Sequence, residues 1–174
     1  IMIEKDRLII EHIIKQLDVK KNKIVVRSIR KVNMAFQAIF SMLLPGSLGK
    51  LVLIRNFNKV LHGIDFRIKS GETHSETLEE LSGGQKSIIA LSFIFSLLLS
   101  KPAPFYILDE IDAALDLCHT QNIGKIIREY FPMSQFLVVS LKNGIITKAN
   151  LIFKIKNIRG KSVITRITNK DCND

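Results

Sequence analysis

The sequence predicts an α/β fold headed by one long helix, and three observations carry that prediction. Residues 1–43 repeat apolar side chains at helical spacing. An apolar segment of helix length runs from about Gly83 to Ser100. Beyond it, two short apolar runs, 105-FYIL-108 and 135-QFLVVSL-141, bracket a helical stretch at roughly Leu117–Tyr130, and such alternation is the mark of a layered α/β body.

In the opening helix, Ile3, Ile10, Leu17 and Ile24 recur every seven residues, as in one seam of a coiled coil. The companion seam is poor, because it falls on Asp6 or Arg7, then Ile13 or Ile14, then Lys20 or Lys21. From Ile29 the pattern widens through Val32, Phe36, Ile39, Phe40 and Leu43 into a face suited to a globular body. A coiled-coil end missing its partner helix and an ordinary amphipathic helix both fit. Pro45-Gly46 stops the helix. The expected division is therefore 1–43, coiled-coil end and neck helix, and 44–174, globular lobe.

Within the lobe, 51-LVLI-54 and 64-IDFRI-68 read as short strands of a hairpin or sheet edge, and the polar stretch 69–80 reads as a loop. A break at Lys101–Pro104 follows the apolar helix. FYIL and QFLVVSL read as buried strands. A loop and a short helix lead to 151-LIFKI-155 and 162-SVITRI-167, a terminal hairpin turning at Arg159-Gly160.

With 174 residues, 47% of them hydrophobic, the chain is long enough to bury a core, and wholesale disorder is excluded. Lys and Arg outnumber Asp and Glu 26 to 16, a net charge of +10. That excess suits contact with nucleic acid, and it equally suits a piece of a balanced protein. The basic residues Lys15, Lys20, Lys21, Lys23, Arg27, Arg30 and Lys31 cluster along the neck helix, either as a DNA or acidic-partner contact or as a solvated face. The two cysteines, Cys118 and Cys172, lack metal-ligand spacing and point to no disulfide framework. No cleavable signal is visible, and the run Ile88–Leu99 is shorter than the roughly 20 residues that span a bilayer. No membrane role is expected.

Two segments look like the phosphate loop G-x-x-x-x-G-K-[ST] and are not. Around Lys86 the glycine positions hold Glu80 and Gln85, and around Lys50 Leu44 replaces the first glycine and Leu51 follows the lysine. What Leu81-Ser82-Gly83-Gly84-Gln85 offers instead is a helix start. Ser82 can cap, and the glycines expose N–H groups where the helix dipole is positive, so a phosphate fits there. Ser-Gly-Gly alone reads as a capped helix with no ligand; the full pentapeptide, followed by Lys86 and a buried helix, is more specific. The second constellation is 105-FYILDEIDAALD-116. Its carboxylates Asp109 and Glu110 emerge at the C-terminal end of a strand, where open α/β sheets bind ligands. Asp109 can hold Mg²⁺ and Glu110 can polarise an attacking water, although an acidic pair there can also be a solvated cap.

LSGGQ, FYILDE and 113-AALD-116 resemble the signature motif, Walker B strand and D-loop of the ABC-type ATPases. Together with FSMLLPG, HTQNIG and QFLVVSLKNG they resemble the structural-maintenance-of-chromosomes (SMC) family and its condensin members, from about Leu17 to Arg166. The resemblance implies an ABC-ATPase-type C-terminal head lobe, half of a P-loop NTPase domain, with an N-terminal coiled-coil neck helix. It implies ATP and Mg²⁺ as ligands. The partners implied are an N-terminal head lobe carrying the Walker A loop, a second SMC subunit of condensin type 4 kind, a kleisin and DNA. Location would be nuclear and chromosomal, with a cytoplasmic pool outside mitosis.

The resemblance also implies residue roles. Leu81, Ser82, Gly83, Gly84 and Gln85 would meet the γ-phosphate of a nucleotide held by the opposing subunit. Asp109 would place Mg²⁺ and Glu110 would act as the catalytic base on this chain's own side, with Asp116 at the dimer plane. Many ABC ATPases carry a histidine after the second strand; here Leu141 stands at its place, and Ser140 is the nearest switch-region candidate. His62, His74 and His119 match no family role. The missing lysine loop implies that the chain by itself does not hydrolyse ATP. A transporter nucleotide-binding domain, a DNA-repair head lobe and a non-catalytic DNA-binding scaffold are the rival readings.

Overall fold

The computed structural model describes residues 2–56, 61–70 and 78–168. The expected loop over 69–80 lies outside the described residues for 71–77, as do His74 and Cys172.

The elements are α1 (Met2–Leu43), β1 (Ser47–Arg55), β2 (Leu61–Ser70), α2 (Gly83–Ser100), β3 (Phe105–Asp109), α3 (Leu117–Tyr130), β4 (Gln135–Val139), α4 (Asn143–Ile146), β5 (Leu151–Ile158) and β6 (Lys161–Thr168). β1 and β2 pair antiparallel, with Leu51 opposite Phe66. β3 and β4 pair parallel, joined by the crossover helix α3, with Ile107 opposite Leu137. β5 and β6 form the expected antiparallel hairpin, with Ile158 opposite Lys161. Arg159 and Gly160 at its tip both have positive φ, 52° and 79°, as a two-residue hairpin turn of this hand requires.

α1 divides by environment rather than by geometry. Its apolar side chains Ile3, Ile10, Leu17 and Ile24 are exposed among the described residues, whereas Val32, Phe36, Ile39, Phe40 and Leu43 are buried. At 1.5 Å per residue the helix is about 60 Å long. The buried third of α1 packs on α2 and β1 and shares one core with Leu51, Ile68, Ile88, Ile89, Leu91 and Phe95. Phe36 stacks on Phe40 at 5.6 Å between ring centres and meets Phe66 edge-on at 5.7 Å. Burying each such ring stabilises the fold by about 1.5–3 kcal/mol. A second aromatic group, Phe95, Phe131, Tyr106 and Phe136, backs the parallel strands.

Two expectations need correction. The hairpin strand β1 starts at Ser47, not at Leu51, because its pairing with β2 already begins at Ser47 opposite Ser70, and Asn33 Oδ1, accepting from the Leu51 N–H at 2.8 Å, ties the strand to α1. Nor are β3 and β4 buried strands. Tyr106, Leu108, Phe136 and Val138 face the core, but Ile107 and Leu137 on the other face are 64% and 48% exposed. The physical reason is that only one face of this strand pair is covered within the described residues.

α2 is the one described helix long and apolar enough to cross a membrane by length and composition. In the fold, its Ile88, Ile89, Leu91 and Phe95 are packed in the core beside α1.

Candidate functional site

The candidate site is assembled from three chain segments: the start of α2, the turn between β3 and α3, and the loop after β4.

The start of α2 is built by its own sequence. Ser82 is the N-cap, with extended backbone, and its Oγ accepts from the Gln85 N–H at 3.3 Å. Gln85 Oε1 accepts in return from the Ser82 N–H at 3.0 Å. This reciprocal box fixes the first turn. Leu81 is buried and anchors the segment, while Ser82, Gly83 and Gly84 are exposed. N–H groups in a first helical turn have no intrahelical acceptor and carry the positive end of the dipole. The glycine pair thus presents donors to solvent, as its composition led one to expect.

β3 ends at Asp109, and Glu110 then takes a left-handed backbone conformation, with φ of 46°. A non-glycine residue there stores about 1–3 kcal/mol, a cost met only where neighbours hold the chain. Here the Glu110 N–H donates to the Val139 carbonyl at 2.9 Å, and its carbonyl accepts from the Ala113 N–H at 3.1 Å. Both carboxylates are exposed at the C-terminal edge of the parallel pair. One exposed carboxylate suits Mg²⁺, which keeps several waters and takes the rest of its ligands from phosphates. Among the described residues no group of three or more acidic, histidine or cysteine side chains could hold a metal by itself.

The turn closes at Asp116, the N-cap of α3, whose Oδ1 accepts from the His119 N–H at 2.9 Å. That backbone bond is the largest influence holding the Asp116 carboxyl below its ordinary value; partial desolvation acts the other way, and His119, the Cys118 N–H and Lys142 assist. His119 Nδ1 is buried without a partner among the described residues, and Cys118 is an exposed free thiol.

Two residues at this site were not singled out from the sequence. Asp112, at 2% exposure, is buried inside the turn, and its Oδ2 accepts from the Ser140 hydroxyl at 2.6 Å. Lys142 sends its ammonium to the carbonyls of Asp112 and Ala113, at 2.8 and 2.9 Å, and to that of Leu115. Ser140 Oγ also accepts from the Lys142 N–H at 2.9 Å. The switch candidate Ser140 is therefore engaged within the lobe, while Leu141 beside it is 90% exposed. Asp112 was visible as an acid within DEIDAALD, but nothing local said that it turns inward. Behind this loop, α4 lies so close to α3 that a Cβ on Gly144 would stand 1.8 Å from Thr120 Oγ1.

The turn after β3 lies between the other two segments, bound by Lys142 on one side and bordered by Gly84 on the other. A Cβ built on Gly84 would lie 4.0 Å from the Ala114 carbonyl oxygen, so the start of α2 borders the turn after β3. His62, at the start of β2, is exposed and belongs to none of the three segments.

Residues 55–163 match the family model described as RecF/RecN/SMC N terminal domain. Structural maintenance of chromosomes protein 2 of Dictyostelium discoideum is 54% identical over 165 residues, 95% of this chain and 14% of that protein. The chain thus spans about one-seventh of the length of that curated relative. A solved Smc head domain with an extended coiled coil, bound to the C-terminal domain of ScpA and derived from Pyrococcus furiosus, superposes with a TM-score of 0.81 at 28% identity, over 94% of this chain and 41% of that one. A structure described as showing ATP-driven dimerization and DNA stimulated activation of SMC ATPases gives a TM-score of 0.74 at 29% identity, over 87% and 92%.

The description of the matched family model names an N-terminal domain, which stands against the expectation of a C-terminal lobe. The comparisons carry the family and the fold, not that assignment. This chain belongs to the RecF/RecN/SMC family and has the α/β fold of an SMC ATPase head.

Proposed function

We propose that the chain forms the signature-bearing lobe of a condensin-type SMC ATPase head, of the type 2 kind, and completes ATP sites whose lysine loop is carried by another lobe. The observation that carries this reading is a division of labour between two segments. Ser82, Gly83 and Gly84 offer exposed donors and no lysine, while Asp109 and Glu110 stand at the end of β3.

A γ-phosphate presented by an opposing subunit would accept from the Ser82 hydroxyl and the Gly83 and Gly84 N–H groups, with Leu81 and Gln85 holding that turn in place. On the near side, Glu110 orients the attacking water and takes its proton, a role worth about 10²–10⁴-fold in rate. Asp109 fits as a ligand of Mg²⁺, which would neutralise charge on the phosphates when bound. Asp116 sits where the two half-sites meet, and Ser140 reports on the near nucleotide.

Assigning the motifs to the C-terminal rather than the N-terminal lobe rests on their identity. Signature, acidic pair and D-loop are here in order, and the lysine loop is absent from all 174 residues. The open face of β3 and β4 supports a further layer, because parallel strands are almost always covered on both faces. The exposed seam of α1 supports a coiled-coil partner helix. A kleisin contact is supported by analogy with the ScpA-bound head, and head dimerisation by the ATP-driven dimer. Exposed Lys20, Lys21, Lys23, Arg27, Arg30 and Lys31 support DNA contact along α1; neutralising them should flatten the salt dependence of DNA binding. The names of the relatives support a chromosomal, nuclear location and a role in condensation.

The test is reconstitution. The purified chain alone should not turn over ATP. Joined to a lysine-loop lobe and a partner head it should, and Glu110→Gln should abolish turnover while ATP still holds the heads together. Turnover by the isolated chain, sensitive to Glu110→Gln, would reject the reading.

A further inference from the structure

We propose that Lys142 is a positioning residue that fixes the turn between Glu110 and Asp116 and thereby sets the near and far half-sites in register. The inference rests on the ATPase reading above and deepens it by giving one further side chain a task there.

A lysine on the loop after a strand, at a nucleotide-facing edge, would ordinarily be read as a phosphate ligand. The geometry points elsewhere. An ammonium has three N–H donors, and Lys142 directs them to three carbonyls of one turn, those of Asp112, Ala113 and Leu115. None is left over for an anion. The turn needs such support. It has no regular secondary structure, its internal bonds are Ala113 N–H to Glu110 O and Leu115 N–H to Asp112 O, and it opens on the strained backbone of Glu110.

The lysine is itself held. Its N–H donates to Ser140 Oγ at 2.9 Å, and the same hydroxyl donates to the Asp112 carboxylate at 2.6 Å. The loop after β4 is therefore tied to the turn by two routes, one through the backbone carbonyls and one through the buried Asp112. Between Asp112 and Leu115, Lys142 leaves out one carbonyl, that of Ala114, and this oxygen is the one that borders Gly84. The clamped turn thus lies between the loop after β4 and the glycine pair of α2. With Lys142 in place, Glu110 at one end and Asp116 at the other are held relative to Gly84. Without it, carbonyls lose a charged donor and the turn is free to move away from both.

The experiment uses the full-length protein carrying this lobe, together with its partner SMC subunit, and compares Lys142→Met, Lys142→Arg and Glu110→Gln. We expect Lys142→Met to lower kcat by about 10–100-fold, the scale for a misplaced catalytic group, while KM and the Kd for ATP stay within about twofold. Lys142→Arg, which keeps the charge and donors in a planar fork, should recover part of that loss. Equal weakening of ATP affinity and kcat in Lys142→Met would make the residue a phosphate ligand and overturn the proposal, as would an unchanged kcat alongside an inactive Glu110→Gln. Activity retained by Glu110→Gln would instead reject the underlying ATPase reading. Should Lys142→Met not fold, Asp112→Asn weakens the same link. The same kcat-without-Kd loss is expected there, and an unchanged kcat counts against the proposal.

Discussion

Ser140 donates its hydroxyl to the buried carboxylate of Asp112 across 2.6 Å, joining the loop after β4 to the turn after β3. A carboxylate at 2% exposure depends on such donors, because an ionised group out of water is costly unless hydrogen bonded. Ser140→Ala should therefore destabilise the lobe by about 1.5–3 kcal/mol, the range for a bond to a charged group. For a domain of this size that is a drop of several degrees in Tm, about 2–4 °C per kcal/mol, readable by calorimetry. An unchanged Tm would mean that water replaces the hydroxyl at no cost.

Asp116 gives the fold a pH dependence of predictable sign. Its folded-state pKa is lowered, chiefly because the His119 N–H donates to the carboxylate. A lowered carboxyl pKa means that the ionised cap contributes stability above the ordinary value of 3.8, and that this is lost as pH falls through the folded value. Urea unfolding should show Asp116→Ala less stable than the parent at pH 7, with the gap closing in acid below that ordinary value. A gap that persists at low pH would assign the effect to packing.

Gly144 lies where no side chain fits. A methyl there would meet Thr120 Oγ1 at 1.8 Å, and Thr120 is fully buried. Gly144→Ala should cost about 1–3 kcal/mol through overpacking. Adding Thr120→Ala should restore part of that loss, a positive coupling that a double-mutant cycle measures. Additive losses would show that α4 simply shifts.

Phe36 anchors the neck helix to the lobe through its contacts with Phe40 and Phe66. Phe36→Ala should destabilise by about 3–5 kcal/mol. Hydrogen exchange should then rise in the last turns of α1 and in β2, while the start of α1, whose apolar side chains are exposed, changes little. Uniform protection along α1 would contradict a helix anchored at one end.

The local signals were legible in the residues themselves. α2 starts at Gly83 behind its capping serine and ends at Ser100 before the break at Lys101–Pro104, and α3 covers the helical stretch Leu117–Tyr130 expected between the two apolar runs. Pro45-Gly46 ends α1 at Leu43, and Arg159-Gly160 makes the terminal turn, because each acts on its own backbone. Which strand face is covered did not follow. FYIL and QFLVV read as buried because their composition is apolar, yet Ile107 and Leu137 lie open, since burial depends on what the rest of the fold lays over them. Asp112 and Lys142 were passed over for a related reason. Asp112 meets Ser140, and Lys142 meets the carbonyls of Asp112, Ala113 and Leu115, only after the parallel pairing of β3 with β4 brings the two strand ends side by side. Spacing along the chain fixes helices, turns and caps because their partners lie within a few residues. A clamp between segments some thirty positions apart exists only once the sheet has formed.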